Sequence, residues 1–115
     1  VETICGEQDG PCEVEVWRIA ESDSVYFDDR MTGAVEAACV ALETPYRRMF
    51  SAAGHDARQL SYICPTTMIF VPCEKGISHN EAENATPGDL RDGACVLADV
   101  LTKLGNDTDT GATGA

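Results

Sequence analysis

The sequence has few basic residues: 8 lysines and arginines stand against 20 aspartates and glutamates, so the formal net charge is -12. This charge argues against nucleic acid as a partner, because binding to phosphates needs a positive surface. No apolar run approaches the length of about 18 residues that a membrane span needs, and no signal-peptide pattern is present. The 115 residues, 43% of them apolar, are enough for one domain. Because the chain begins at Val1 without an initiator methionine, we expect it to be a piece of a longer protein.

The sequence also lacks any C-x-x-C pair, although it contains six cysteines. Zinc sites are typically built from such close pairs, which argues against a structural zinc site. Cys39, Cys64 and Cys95 lie inside apolar patterns, where a free cysteine behaves as a small buried hydrophobic residue. We therefore interpret the cysteines as reduced thiols of a cytoplasmic protein. A small zinc-binding domain built on the six cysteines is the alternative.

Helix and strand patterns alternate along most of the chain, which predicts the α/β class. Residues 12–19 alternate with period two and predict a half-exposed strand that belongs to another domain. Asp28 or Asp29 is expected to cap a helix that Thr44 and Pro45 stop. The apolar face of that helix is Met31, Val35, Ala38 and Leu42.

The second half of the chain continues the alternation. Residues 46–50 predict a short strand, residues 54–63 a helix and residues 66–72 a buried strand. Thr86 and Pro87 predict the start of a last helix, which Gly105 ends. The predicted apolar stripe of that helix is Leu90, Ala94, Leu97, Leu101 and Leu104. Residues 106–115 contain no large apolar side chain and are expected to be a disordered tail.

Both histidines of the chain, His55 and His79, lie in polar loops on either side of the buried strand predicted at residues 66–72. A helix followed by a strand returns the chain across a domain, so both histidines are expected on one side of the sheet. Ligands of open α/β sheets bind at the carboxyl ends of the strands. The two loops are therefore predicted to converge on one site.

The pattern around His79 leaves two interpretations open. Ser78 and Asn80 flank it in a polar loop, and Glu81 and Glu83 follow. Imidazole is a common metal ligand that nearby carboxylates orient, but an isolated histidine is also often a solvated loop residue. A catalytic metal needs about three protein ligands, so any others must lie outside this chain.

His55 is either a polar residue that caps the following helix or a hydrogen-bond donor to substrate. Gly54 before it allows a ligand to approach the backbone closely. A helix N-terminus disfavours an imidazolium, and a neutral histidine beside free backbone N–H groups suits a developing oxyanion.

Residues 51–57 (SAAGHDA) resemble the SGAGHDA motif of the N-carbamoyl-amino-acid amidohydrolase and allantoate amidohydrolase branch of the M20 metallopeptidase family. Residues 67–72 (TMIFVP) and 76–83 (GISHNEAE) resemble the next block of that branch, typically AMIFVP and GISHNPAE. The sequence of Arg47, Arg48 and Met49 also fits the pattern of that branch. The resemblance extends to Gly105 and matches the C-terminal quarter of a protein of about 400 residues.

The resemblance implies an α/β catalytic domain with two divalent metal ions, zinc, manganese or nickel, and an inserted lid domain that forms a homodimer. Residues 1–20 would be the end of the lid and residues 21–105 the C-terminal portion of the catalytic domain. His79 matches the last metal ligand. His55 matches a catalytic histidine that binds substrate and steadies the tetrahedral intermediate, with Gly54 beside it in the substrate site. The general base, a glutamate, and the remaining ligands belong to the N-terminal part.

Two positions depart from the family pattern. Ala52 replaces a glycine, which narrows the backbone freedom near His55, and Glu81 replaces a proline, which adds a charge near His79. The predicted function is hydrolysis of a C–N bond in N-carbamoyl amino acids, allantoate or related ureido acids by the full-length protein, with this chain alone inactive. The alternatives are a non-catalytic truncated fragment with a structural or pairing role and an M20 dipeptidase.

Overall fold

Two long helices form the centre of the fold. The computed structural model describes residues 15–19, 21 and 23–107. These contain helices α1 (Asp29–Ala41), α2 (Asp56–Leu60) and α3 (Pro87–Asn106), and a 3-10 turn at Glu74–Gly76. None of the helices in the described ranges is both long enough and apolar enough to cross a membrane.

Local capping interactions define the beginnings of α1 and α3, as the sequence predicts. The Asp28 carboxylate accepts a hydrogen bond from the backbone N–H of Met31 at 2.9 Å. At α3, the Thr86 hydroxyl accepts from the backbone N–H of Asp89 at 3.1 Å, and Pro87 is the first helical residue. Each side chain satisfies a backbone donor that has no partner inside the helix.

The observed helix ends are close to the predicted ones. Helix α1 ends at Ala41, before the predicted stop at Thr44 and Pro45. Helix α3 continues through Gly105 to Asn106, one residue past the predicted end. Asn106, the first residue of the predicted disordered tail, is therefore helical. Residues 108–115 lie outside the described part of the chain.

The core lies between α1 and α3. Its buried residues are Ala38 and Cys39 of α1 and Val96 and Val100 of α3. Leu104 and Ile69 are partly buried against them. The prediction that α3 buries its leucine stripe is wrong for most of its members: Leu90, Leu97 and Leu101 are 53%, 48% and 62% exposed. Helix α3 has apolar residues on two faces, and α1 packs on the face of Val96 and Val100.

The strands predicted at residues 46–50 and 66–72 are not formed, and the described residues contain no strand at all. The α/β class is therefore not confirmed. A strand requires a neighbour that exchanges backbone hydrogen bonds with it. For residues 66–72, the backbone bond seen within the described ranges is from Asp28 N–H to the carbonyl of Thr66, at 3.1 Å. Of the strand predicted at 12–19, residues 15–19 are not in a strand and residues 12–14 lie outside the described part.

Residues 66–72 instead pack on the two helices without regular secondary structure. The hydroxyls of Thr67 and Thr32 in α1 lie 3.1 Å apart. Ile69 packs on the core, and Val71 lies against Gly93 of α3. The segment thus connects both helices to the loops that carry the histidines.

The cysteines only partly follow the prediction of buried thiols. Cys39 is buried, whereas Cys64 and Cys95 are exposed. Cys73 is half-buried, and all four are free thiols. The buried core of the described residues contains Cys39 but neither Cys64 nor Cys95.

Candidate functional site

His55 stands immediately before α2, which is shorter than the helix predicted at residues 54–63. Its backbone is extended, with φ -136° and ψ 146°, and its carbonyl accepts from the N–H of Arg58 at 3.0 Å. The imidazole makes no capping hydrogen bond to the helix. His55 thus occupies the capping position without using its side chain for capping, which leaves the ring available for another role.

Two neighbours hold the His55 ring, which is half-buried. The Oγ atom of Ser51 lies 2.8 Å from Nε2. The imidazole and the Phe70 ring also meet in an edge-to-face arrangement, with centroids 5.4 Å apart and planes inclined at 62°. The contact with Phe70 ties the loop to the segment 66–72. Ser51 belongs to the SAAGHDA motif, but sequence reasoning gave it no role; its position four residues before His55 was the available signal.

Gly54 is exposed, and a Cβ atom at this position would meet nothing within 4 Å in the described structure. The backbone beside His55 is therefore open to a ligand. Such space beside the backbone is what the sequence argument for Gly54 requires.

His79 lies in a separate loop that is closed by its own hydrogen bonds. Its φ of 55° is in the left-handed region, which is uncommon for residues other than glycine. The backbone N–H of His79 donates to the Glu83 carboxylate at 2.7 Å, and the Cys73 thiol donates to the other oxygen of Glu83 at 3.8 Å. Glu83 thus fixes the backbone of His79 rather than its ring, which is exposed.

The base of the same loop is a reciprocal pair of hydrogen bonds. The Glu74 N–H donates to the Asn84 carbonyl at 2.7 Å, and the Asn84 side-chain amide donates to the Glu74 carboxylate at 2.9 Å. These contacts bring the two ends of the loop together.

No group of three or more histidine, cysteine, aspartate or glutamate side chains that could hold a metal ion occurs within the described ranges. The role of His79 as one metal ligand stays a prediction. The convergence of the two histidine loops on one site stays a prediction. An open cavity of about 260 Å³ lies elsewhere, lined by residues of the 26–28 and 61–66 segments, among them Tyr26, Asp28 and Cys64.

Arg48, part of the predicted motif, anchors its segment to α1. Its Nε and Nη2 atoms donate to the two carboxylate oxygens of Glu36, each at 2.8 Å. The hydrogen bond and charge of Arg48 lower the pKa of Glu36, and Glu36 in turn raises the pKa of Arg48. This bidentate pair fixes the chain that leads into the Ser51–His55 loop. Arg47 makes no hydrogen bond or ion pair with the described residues.

Comparison with known sequences agrees with the resemblance. The family model of Peptidase family M20/M25/M40 matches residues 3–103, so the chain belongs to this family. It is 36% identical over 101 residues to the allantoate amidohydrolase of Escherichia coli (strain K12), covering 88% of this chain and 24% of that protein. It is 38% identical over 98 residues to the N-carbamoyl-L-amino-acid amidohydrolase of Rhizobium meliloti, covering 85% of this chain and 22% of that protein.

A third relative comes from a plant. The ureidoglycolate hydrolase of Oryza sativa subsp. japonica is 40% identical over 89 residues, which covers 76% of this chain and 18% of that protein. The chain thus spans about a quarter or less of the length of these relatives. No solved structure matches the chain.

Proposed function

We propose that the chain is the C-terminal segment of a binuclear metal-dependent amidohydrolase that cleaves a C–N bond in N-carbamoyl amino acids, allantoate or related ureido acids. The observation that carries this proposal is the family match over residues 3–103, together with relatives named for allantoate and N-carbamoyl-L-amino-acid hydrolysis. In this proposal residues 1–20 end the lid domain, and residues 21–105 complete the catalytic domain.

The two histidines have different roles in the proposed enzyme. His79 would hold a divalent metal ion as one of its ligands, and the bound metal would supply Lewis-acid chemistry that lowers the pKa of a water molecule. His55 donates a hydrogen bond to the substrate oxygen on which negative charge develops, with the open backbone at Gly54 beside it. The half-buried ring of His55 and its contacts with Ser51 and Phe70 support this role, because a fixed donor stabilises developing charge without reorganising.

Exposed apolar surface supports the idea that further polypeptide completes this domain. Leu90, Leu97 and Leu101 of α3 are all about half exposed or more. In this proposal the segment 66–72, which forms no strand with the described residues, pairs with a neighbouring strand. With such neighbours the fold would be of the predicted α/β class.

Two further properties complete the proposal. The four free thiols among the described residues support a reducing, cytoplasmic location. We also propose a homodimer formed through the lid domain; this rests on the family resemblance alone.

The test is an activity comparison between the full-length protein that carries this chain and the 115-residue chain alone. Both are assayed with allantoate, N-carbamoyl amino acids, ureidoglycolate and a dipeptide. We expect the full-length protein to hydrolyse a ureido or carbamoyl substrate and the isolated chain to be inactive. Preference for the dipeptide would identify a peptidase instead, and inactivity of the metal-loaded full-length protein on all substrates would favour a structural role.

Variants of the full-length protein test the two histidines. His79→Ala should remove at least one equivalent of bound metal and the activity, whereas Lys75→Gln, an exposed residue of the same loop, should change neither. His55→Gln should keep the metal but lower kcat by roughly a hundredfold or more. Normal metal content in His79→Ala would contradict the ligand assignment.

A further inference from the structure

A serine holds the candidate catalytic histidine from one side. Ser51 Oγ lies 2.8 Å from His55 Nε2, and both residues are half-buried. The backbone N–H of Ala53 also points to Ser51 Oγ, at 3.4 Å. The hydroxyl is therefore tied to the loop backbone and to the imidazole at the same time.

The hydrogen-bonding capacity of a hydroxyl indicates the direction of the Ser51–His55 bond. A serine hydroxyl has one proton and two lone pairs, and the N–H of Ala53 uses one lone pair. Within the described chain, Nε2 of His55 is the acceptor within reach of the Ser51 proton. This count favours Ser51 as the donor and Nε2 of His55 as the acceptor.

We propose that Ser51 is a positioning residue that fixes neutral His55 in the tautomer with its proton on Nδ1. A neutral imidazole carries one proton, so acceptance at Nε2 places that proton on Nδ1. The Nδ1–H group is then the donor offered to substrate. This inference rests on the proposed function for its catalytic meaning, but the tautomer itself does not depend on it.

Phe70 restrains the ring from another direction. Its centroid lies 5.4 Å from that of the imidazole in an edge-to-face arrangement. A flip of the imidazole would exchange nitrogen and carbon positions and break the bond to Ser51. The hydroxyl and the aromatic ring together therefore select one orientation as well as one tautomer.

The same distance would also suit a serine nucleophile and its histidine base. In such a site a third group orients the base. No carboxylate or carbonyl in the described ranges hydrogen-bonds to the His55 ring, and its remaining contact is the apolar Phe70. The arrangement is that of a histidine held by a serine.

The direct test is the tautomer of each histidine, read from imidazole ¹⁵N chemical shifts of the 115-residue chain at about pH 9, where a free imidazole is neutral. The chain has two histidines, and the exposed His79 serves as the internal reference. We expect His55 to show the Nδ1–H pattern and Ser51→Ala to convert it to the Nε2–H form that free histidine prefers. Ser51→Thr should restore the Nδ1–H form.

Ser78→Ala is the matched control, because Ser78 precedes the other histidine and makes no bond to either ring. It should leave both signals unchanged. An Nε2–H pattern for His55 in the unmodified chain, or no change on Ser51→Ala, overturns the proposal.

A kinetic measurement on the full-length protein separates this inference from the proposed function. Ser51→Ala should lower kcat by about tenfold or more with little change in KM, and Ser51→Thr should recover most of it. If the tautomer pattern holds but the unmodified protein hydrolyses no ureido substrate, the proposed function fails and the Ser51 assignment stands. Full kcat in an active Ser51→Ala variant overturns the positioning role.

Discussion

Gly93 of α3 touches Val71 so closely that a Cβ atom on Gly93 would lie 2.5 Å from Cγ1 of Val71. The lack of a side chain at Gly93 therefore lets the segment 66–72 lie directly on the helix. The same segment carries Phe70, which packs on His55. The segment 66–72 thus links the close contact at Gly93 to His55, the candidate catalytic histidine.

We predict that Gly93→Ala destabilises the chain by about 1–2 kcal/mol. Overpacking costs about 1–3 kcal/mol, and alanine recovers part of this through its higher helix propensity. Valine has a stiff χ1 and cannot easily move aside. The measurement is the free energy of unfolding in denaturant.

Gly33→Ala in α1 is the matched control for that substitution, since a Cβ there would meet nothing within 4 Å. Gly33→Ala should raise the free energy of unfolding by about 0.5–1 kcal/mol. The double variant Gly93→Ala/Val71→Ala should lose less free energy of unfolding than the two single variants lose together, because removing the Val71 side chain relieves the clash. A Gly93→Ala variant as stable as Gly33→Ala would show that the contact is not tight.

The helix starts depend on residues that are close together in the sequence, whereas the predicted strands depend on partners far away in it. Asp28 and Thr86 were predictable caps because each bonds to a backbone N–H three residues away. The segment 66–72 was not predictable in the same way, because a strand depends on a partner elsewhere. The buried face of α3 likewise depends on where α1 packs, since either face has enough apolar residues.

The sequence motifs named candidate site residues but did not predict their contacts. The motifs identified His55 and His79, while the contact of Ser51 with the His55 ring and the bond from the His79 N–H to Glu83 emerged only from the loop geometry. Both contacts span four residues in irregular structure, where no helical or strand period indicates which side chains meet. Loop conformation therefore decides them.

We predict that Thr86→Ala lowers the free energy of unfolding by about 1 kcal/mol, the usual cost of losing a helix N-cap. The substitution removes the acceptor of the Asp89 N–H at the start of α3. Thr86→Ser retains the hydroxyl and should remain within about 0.5 kcal/mol of the unmodified chain. Equal stability of the alanine and serine variants would show that the cap contributes nothing.

We predict that the Glu36–Arg48 pair makes stability depend on pH. The pKa of Glu36 is lowered in the folded chain by the hydrogen bond from Arg48, so the folded state favours the ionised carboxylate. The stabilisation is fully present above the unfolded pKa of about 4.3 and is lost as the pH falls through the lower folded value. Denaturant unfolding of the unmodified chain and of Glu36→Gln from pH 7 to pH 3 measures this difference.

The difference in free energy of unfolding between the unmodified chain and Glu36→Gln should shrink as the pH falls. It should also decrease at high salt, because the ion pair is partly exposed. Arg48→Lys keeps the charge but not the bidentate geometry, so its free energy of unfolding at pH 7 should lie between those of the unmodified chain and Glu36→Gln. A difference that stays constant down to pH 3 would contradict the lowered pKa.

We predict that Cys39 reacts with thiol reagents at least about a hundredfold more slowly than Cys64 and Cys95 in the folded chain. Burial raises the pKa of Cys39, and the Glu36 carboxylate raises it further, so less of its reactive thiolate is present at neutral pH. Cys64 and Cys95 are exposed. Time-resolved alkylation followed by peptide mass spectrometry resolves each position, and denaturant should abolish the difference; equal rates in the folded chain would contradict the packing of α1 on α3.

Finally, we predict that Glu83 holds the backbone of His79. Glu83→Ala removes the acceptor of the His79 N–H, so this amide should exchange with solvent roughly tenfold faster. Glu83→Gln keeps an acceptor oxygen and should have a smaller effect. Glu81→Ala, in the same loop but without a described hydrogen bond, is the matched control and should leave exchange unchanged. Amide exchange followed by NMR is the measurement, and an unaltered His79 amide in Glu83→Ala would mean that the left-handed backbone of His79 is maintained without this carboxylate.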